Sequence, residues 1–96
     1  MKNSNNLADH QAVELTAAAK KYCTNNPHRT GLKIQNQEAT ATIFYRSGGN
    51  GAARSFLGIP PGGMLTLDIH APNQELWMYS DVSGAIATVV EEFEGV

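Results

Sequence analysis

The sequence predicts an all-β fold, a compact β-sandwich or jelly-roll-like single domain. Glycine, proline and asparagine recur at short intervals as turn signals, and the segments between them alternate apolar and polar side chains. The pattern is clearest where residues 26–31 lead into an alternating segment ending at Asn36, and where residues 58–63 lead into residues 64–69. A length of 96 residues suits one domain. No heptad repeat and no alternation of strands with long helices competes with this prediction.

The first eleven residues are expected to form a flexible N-terminal arm, and residues 12–96 the β-sandwich domain. Residues 3–6 read Asn-Ser-Asn-Asn, a composition that favours turns and caps over packed structure. Such an arm can stay disordered until a partner orders it.

Residues 12–23 fit either a strand or a helix. Three side chains alternate as in a strand: Val13, Leu15 and Ala17. The three consecutive alanines at 17–19 favour helix instead, and Lys20 and Lys21 suit a helix C-terminus. We expect a strand through about Thr16 and then one short helical turn through Tyr22.

The middle of the chain predicts two strands. After Pro27, the side chains of Leu32 and Ile34 point to one face of a strand, with Lys33 and Gln35 on the other. A second strand is predicted at residues 39–46. One of its faces carries Ala41, Ile43 and Tyr45, and the other carries Thr40, Thr42, Phe44 and Arg46. Bulky residues on both faces indicate a strand covered on both sides, or one that shows Phe44 to a partner.

The second half of the chain predicts four further short segments. Residues 55–59 form an edge strand, because the two prolines that follow lack ladder donors. The clearest core face follows, made by Leu65, Leu67 and Ile69. A strand at residues 75–80 places Leu76 and Met78 opposite Trp77 and Tyr79. The last strand is expected at residues 85–90, followed by an acidic tail at 91–94.

Charge and hydropathy exclude two classes of partner. The net charge is −2 with a pI of about 5.8, and the seven basic residues are scattered apart from the pair Lys20 and Lys21, so no nucleic-acid partner is expected. No window is apolar enough for a membrane span. The chain is expected to be made in a reducing cytoplasm. Because the core is small, we expect a homo-oligomer, with a trimer favoured over a dimer.

Candidate catalytic residues do not form a convincing centre, so we expect no enzyme. Asp68, His70 and Ser80 invite a triad interpretation, but Ser80 has no nucleophile elbow around it. The favoured interpretation is that Asp68 and His70 lie on the solvated face of a strand, opposite Leu67 and Ile69. The loop at 47–54 ends in Arg54, not in the Gly-Lys-Ser/Thr of a phosphate-binding loop.

No cofactor or metal is expected either. The histidines His10, His28 and His70 are far apart in sequence, and no paired spacing of metal ligands occurs. A metal bridging subunits on a symmetry axis stays an alternative. Cys23 is the single cysteine, so it forms no intrachain disulfide, and it is interpreted as a small buried hydrophobe.

Five residues are candidates for an interface with another molecule. Three are aromatic and lie on strands: Phe44, Trp77 and Tyr79. Arg29 is predicted to lock a turn or to make a subunit contact, because an arginine beside a proline turn can bond several carbonyls. Arg54 closes the glycine-rich loop. Trp77 is placed in a subunit interface, with the plain core as the alternative.

Two motifs occur together, separated by a glycine-rich loop and followed by a valine-rich end. They are Asn26-Pro27-His28-Arg29 leading to Leu32 and Ile34-Gln35-Asn36, and Pro60-Pro61-Gly62-Gly63 leading to Leu65 and Leu67, with Leu76-Trp77-Met78-Tyr79-Ser80 after them. This pattern resembles a group of small structural proteins of tailed bacteriophages, over roughly residues 15–90. The alanine-rich stretch at 17–23 departs from it.

The resemblance implies a compact β-sandwich protein of the virion, with no catalytic residues to carry over. We therefore expect a non-enzymatic capsid decoration or cement protein that binds the phage head as a homo-oligomer. Its expected partner is the major capsid protein or another virion protein, and its expected locations are the virion and, before assembly, the host bacterial cytoplasm. The alternative is a head-fibre or tail component that binds host-surface glycan through Trp77 and Tyr79 or the 47–54 loop.

Overall fold

The computed structural model describes residues 6–67 and 74–94, and within them the protein is all-β. Eight strands follow one another in these residues, with a 3-10 turn at Ala53–Ser55 between the fourth and fifth. The strands are β1 (Asn6–Glu14), β2 (Lys20–Cys23), β3 (Arg29–Asn36), β4 (Ile43–Ser47), β5 (Leu57–Ile59), β6 (Met64–Leu67), β7 (Leu76–Ser80) and β8 (Ile86–Glu94).

The strands form two four-stranded antiparallel sheets. Sheet 1 has the order β1-β8-β3-β6, and sheet 2 has the order β2-β7-β4-β5. The chain crosses repeatedly from one sheet to the other, so strands that are neighbours in a sheet are distant in sequence, except for the consecutive β4 and β5. This wrapping is that of a double-sheet jelly roll. The predicted all-β sandwich is confirmed.

The core lies between the sheets and is built by alternate residues of each strand. Sheet 1 contributes Leu32, Ile34, Ala87 and Val89, and sheet 2 contributes Cys23, Ile43, Ile59, Leu76 and Met78. Leu15, from the link between β1 and β2, completes the cluster. The period-2 prediction is confirmed for the strands that carry these residues. Leu65 and Leu67 pack against the core but stay half-exposed, and Ile69 lies outside the described residues.

The N-terminal arm predicted for residues 1–11 is corrected from Asn6 onward. Residues 6–11 belong to β1, which pairs with β8 from Asn6 opposite Glu94 to Glu14 opposite Ile86. Side chains 8–12 are all exposed, because β1 lies at the edge of sheet 1. An edge strand needs no apolar face, so its polar composition is typical of a strand in this position. Residues 1–5 lie outside the described part of the chain.

The helical turn predicted through Tyr22 is also corrected. The chain bends at residues 17–18 and then forms β2, whose Lys21 lies opposite Trp77 of β7. A bulge between Lys21 and Cys23 restores the inward direction of Cys23. Pairing with a buried strand outweighs the helix propensity of three alanines, which amounts to only tenths of a kcal/mol per residue, roughly 0–0.7.

Three boundaries differ from the prediction in detail. The strand expected at 39–46 begins at Ile43, because the residues before it form a bend. The acidic tail at 91–94 continues β8 to Glu94. The edge strand expected at 55–59 is confirmed in a shorter form, as β5 at the edge of sheet 2.

Candidate functional site

The outer face of sheet 2 carries a group of aromatic side chains that we call the aromatic face: Phe44, Phe56, Trp77 and Tyr79. On β7, the odd-numbered Trp77 and Tyr79 point outward because Leu76 and Met78 are buried in the core. Phe44 of β4 lies directly opposite Tyr79 in the antiparallel register. The sheet thus brings together three of the five residues predicted as interface candidates.

The centre of the aromatic face is a stacked cluster. The rings of Phe44 and Tyr79 have centroids 4.9 Å apart and planes at 17°. Phe56 meets the edge of Tyr79, at a centroid distance of 5.1 Å and an angle of 67°. Phe56 is buried, whereas the other two rings are half-buried. Such pairs stabilise one another beyond simple burial, so the cluster is a preformed platform on the sheet.

Trp77 lies beside this cluster and is bracketed by charges. Its neighbours across the sheet are Lys21 of β2 and Arg46 of β4. The indole Nε1–H donates to Glu75 Oε1 at 2.9 Å, and Lys21 Nζ lies 3.8 Å from Glu75 Oε2. The Arg46 guanidinium donates to the carbonyl of Gly49. The indole is therefore held in one orientation on a half-exposed surface that carries both cations and a carboxylate.

A polar depression adjoins this end of sheet 2. It is open to solvent, has a volume of about 490 Å³ and is lined by Asn25, Gly48, Gln74 and Glu75. Glu75 connects it to Trp77 through the indole hydrogen bond. The depression thus offers two side-chain amides and a carboxylate next to an aromatic ring.

Arg29 is not available to a partner, although the sequence predicts it as an interface candidate. Its side chain is fully buried, and it forms an ion pair with Glu91 Oε2 at 2.9 Å. The same guanidinium donates to the carbonyl of Thr24 at 3.0 Å and to that of Gln74. Arg29 thereby joins β3 and β8 of sheet 1 to the segments next to β2 and β7 of sheet 2. The sequence predicts that Arg29 either locks a turn or makes a subunit contact. These contacts are all within the chain, so they support the first type of role.

The opposite end of β3 has a second buried lock that sequence reasoning missed. Asn36 has an exposed fraction of 0%, and its amide nitrogen lies 2.8 Å from the Ala41 carbonyl, 3.0 Å from that of Ile59 and 3.1 Å from that of Pro60. Its side-chain oxygen accepts from the N–H of Glu38 at 2.9 Å. An asparagine at a strand end is an ordinary turn signal, so nothing local distinguished it.

The remaining predicted residues are dispersed. Arg54 lies exposed in the 3-10 turn Ala53–Ser55, two residues before Phe56. Sequence reasoning did not foresee the roles of Lys21, Arg46 and Glu75 around Trp77. Alternation places Arg46 on the face of Phe44, as predicted, but the positions of Arg46 and Lys21 on either side of Trp77 depend on the pairing of β7 with β4 and β2.

The groups considered for catalysis have structural roles where the structure describes them. Ser80 is buried, and its hydroxyl oxygen lies 3.4 Å from the Thr42 carbonyl and accepts from Val82 N–H at 3.1 Å. Asp68 and His70 lie outside the described residues. Burial raises the pKa of the Cys23 thiol to about 11, and the nearby Glu91 carboxylate adds to the rise. A thiol protonated at neutral pH is a poor nucleophile.

Residues 6–67 and 74–94 contain no group of three or more His, Cys, Asp or Glu side chains that could hold a metal ion. Over the same ranges, no helix has the length and apolarity that a membrane crossing requires.

Comparison with known proteins identifies a fold relative. No protein-family model and no curated protein matches the sequence. Among solved structures, the chain is similar to a chain of the disulfide-linked pili of Bacillus endospore appendages. The two share 12% sequence identity with a TM-score of 0.51, over 99% of this chain and 93% of the pilus chain. At this identity the likeness shows a shared fold, and it extends over the whole sandwich.

Proposed function

We propose that this protein is a non-enzymatic structural subunit that assembles with copies of itself and binds a larger particle through the aromatic face. More specifically, we propose that the particle is a phage head and that the protein is a capsid decoration or cement protein. The aromatic face is the observation that carries the proposal.

The composition of this face suits a protein–protein contact. Aromatic residues and arginine are enriched at the centres of interfaces, where they form the contacts that cost most when removed. Here Trp77, Tyr79 and Phe44 lie on a rigid antiparallel sheet with Arg46 beside them. A half-buried ring that is already fixed by stacking loses little conformational freedom on binding, so the platform is preorganised for a partner.

The internal use of the nucleophiles supports a structural role over an enzymatic one. Ser80 binds backbone groups at a strand end, and the Cys23 thiol is buried. Neither lies on the aromatic face or at the polar depression. The aromatic face and the polar depression therefore present groups suited to binding.

Assembly from copies of the chain is compatible with the fold it shares with a pilus protein. That relative is described as part of disulfide-linked pili. Here the single cysteine, Cys23, is 5% exposed. Assembly of this chain is therefore expected to use noncovalent contacts, with avidity from many copies.

The test is binding to purified phage heads that lack the protein. We expect Trp77→Ala to weaken binding by about 2 kcal/mol, roughly thirty-fold, because it removes a central anchor. Met64→Ala is the matched control, since Met64 is 63% exposed on β6 of sheet 1. Co-sedimentation with heads, with circular dichroism as a check of folding, measures the effect. Equal binding by both variants, or no binding by the wild type, would contradict the proposal.

A second candidate function is glycan binding, favoured by the polar depression beside Trp77. Side-chain amides and carboxylates bind sugar hydroxyls, and an indole packs on the apolar face of a sugar ring. Binding on a glycan array that is lost in both Gln74→Ala and Trp77→Ala, and kept in Met64→Ala, would establish this function. Absence of any bound glycan would remove it.

A further inference from the structure

The four edge strands of the sandwich are unequally protected against pairing with another chain. In sheet 2, β5 has three residues and is followed by Pro60, while β2 has four residues, two lysines and a bulge. In sheet 1, the described part of β6 has four residues, Met64–Leu67. Short strands, lysines, prolines and bulges are the devices by which proteins block edge pairing.

The β1 edge lacks these devices. It spans nine residues without proline, lysine or a bulge, and its register with β8 is unbroken. Side chains 8–12 are exposed, and two of them are alanines, so another strand can approach closely. Among the four described edges, β1 is thus the longest and the least obstructed.

The outward hydrogen-bonding groups of β1 follow from its ladder with β8. Leu15 N–H donates to the Ala85 carbonyl at 2.8 Å, and the Leu15 carbonyl accepts from Gly84 N–H at 2.8 Å. In an antiparallel pair, successive residues direct their backbone groups alternately toward and away from the partner. Odd-numbered residues of β1 therefore bond to β8, and Ala8, His10 and Ala12 direct N–H and C=O groups away from the sheet.

We propose that β1 pairs antiparallel with β1 of a second copy, centred on His10, and joins the two four-stranded sheets into one eight-stranded sheet. This proposal names the self-contact and rests on the self-assembly part of the proposed function. In this register, Ala8 lies opposite the other copy's Ala12, Asp9 lies opposite Gln11, and His10 lies opposite itself. The outward groups of His10 and of the two alanines then satisfy one another.

Neighbouring two-fold registers fit less well. Centring on Asp9 places two carboxylates opposite each other, and like charges in that position are destabilising. Centring on Gln11 places the charged Asp9 opposite Val13, which packs against the core. The His10 register avoids both conflicts.

The pairing implies a closed dimer. When the β1 edge of one copy pairs with the β1 edge of a second copy, neither edge is left for a third copy. The two-fold contact therefore gives a closed dimer. This differs from the trimer favoured by the sequence analysis, which would need a contact between two different surfaces.

Disulfide trapping tests the register. Directly opposed, hydrogen-bonded residues have Cα atoms about 5.5 Å apart, which suits a disulfide. We expect His10→Cys to form a covalent dimer under mild oxidation at pH 8. Ala12→Cys is the control, because the two copies of residue 12 are four residues out of register and should not cross-link. Cys23 is buried with a raised pKa and does not compete. Equal cross-linking of both variants, or none of His10→Cys, would overturn the proposal.

A charge-pattern test leaves the strand length unchanged. Ala8→Lys with Ala12→Lys places lysines opposite each other twice, whereas Ala8→Lys with Ala12→Glu places opposite charges there. We expect the first variant to dimerise at least about ten-fold more weakly than the second in sedimentation equilibrium. Both sites are exposed, so both variants should fold with the circular dichroism of the wild type. Equal dimerisation, a wild-type monomer or a wild-type trimer would refute the β1 contact.

The two proposals fail separately. If the lysine variant is monomeric and still binds phage heads through Trp77, the β1 contact stands and so does the aromatic face. If no variant alters the oligomer but Trp77→Ala loses binding, the β1 contact is refuted and the particle-binding role stands.

Discussion

The two ends of β3 are each held to the rest of the sandwich by one buried polar side chain, but the two side chains differ in charge. Each end buries one polar side chain that binds across the sandwich, Arg29 at the start and Asn36 at the finish. Arg29 is charged and is paired with Glu91 of a neighbouring strand. Asn36 is neutral and bonds only to backbone groups in the described contacts.

Arg29 and Asn36 differ in which buried groups would lose their bonding partner if the side chain were removed. Loss of Arg29 leaves a carboxylate, only 18% exposed, without its ion-pair partner. Loss of Asn36 leaves carbonyl oxygens, which are less costly to leave without a donor than a charge is. Two locks of similar burial should therefore contribute unequally to stability, and the predictions below test that inequality.

The largest effect is expected from Arg29→Ala. Removing one partner of a buried ion pair costs about 3–5 kcal/mol, and the partial exposure of Glu91 places this case near the lower value. Urea unfolding followed by circular dichroism measures it. Arg29→Lys should recover only part of the loss, because lysine cannot bond the carboxylate and two carbonyls with one planar fork. A cost below about 1 kcal/mol would show that the charged lock is dispensable.

Asn36→Ala should cost less, about 1–3 kcal/mol, because it leaves buried backbone groups without their partner. The same urea experiment applies. Gln37→Ala is the matched control, since the side chain of the neighbouring Gln37 is exposed and bonds only Thr88 Oγ1 among the described contacts, at 2.9 Å. A loss for Asn36→Ala as large as that for Arg29→Ala would erase the proposed distinction between the two ends.

A pH effect should distinguish the charged end. Burial raises the pKa of Cys23 from 9.0 to about 11, and Arg29 partly opposes the rise. A group whose pKa is higher in the folded state adds stability below pH 9 that is lost as the pH rises to about 11. Cys23→Ala should lack this part of the alkaline loss, which can be measured as the free energy of unfolding against pH.

The size of that alkaline loss should depend on which end of β3 is altered. In an Arg29→Ala background it should grow, because the cation that lowers the thiol pKa is gone. An Asn36→Ala background should leave it unchanged. A larger alkaline loss in the Asn36→Ala background, with no change in the Arg29→Ala background, would contradict the assignment of this effect to Arg29.

The smallest effect is expected from Lys33→Ala. Lys33 Nζ lies 3.6 Å from Glu92 Oε2, on the same two strands as Arg29 and Glu91, but both side chains are about 40% exposed. Exposed ion pairs contribute about 0–1 kcal/mol and are screened by salt. Unfolding at low and high salt should give a small loss that fades with salt. A large loss would mean that burial is not what sets Arg29 apart.

The strands that face the core could be predicted from the sequence, because alternation reports burial on one side. Leu32 and Ile34 in β3, and Leu76 and Met78 in β7, lie inward as expected. Proline after β5 correctly indicated an edge. These predictions use only neighbouring residues, and that is why they succeed.

The largest failures involve partners far away in the chain. The polar residues of β1 form a strand because β8 lies beside them, more than 70 residues later. The alanine-rich stretch does not become helical, because β2 pairs with β7. The carboxylate that fixes Arg29 is 62 residues away. Sequence patterns cannot specify such pairings without the topology.

The aromatic face was predicted in part. Alternation places Trp77 and Tyr79 together, and bulky residues on both faces of β4 indicated that Phe44 would be covered or shown to a partner. The register that stacks Phe44 on Tyr79, and the charges around Trp77, required the sheet.

The position of β8 in sheet 1 also determines how the protein can be made on a ribosome. β8 lies between β1 and β3, so neither has its central neighbour until residues 86–94 have been synthesised and have left the exit tunnel. During translation, β1 and β3 must wait for β8, which also carries Glu91, the ion-pair partner of Arg29. Sheet 1 is thus expected to close only once β8 has emerged, and nascent chains held just short of β8 should be sensitive to protease.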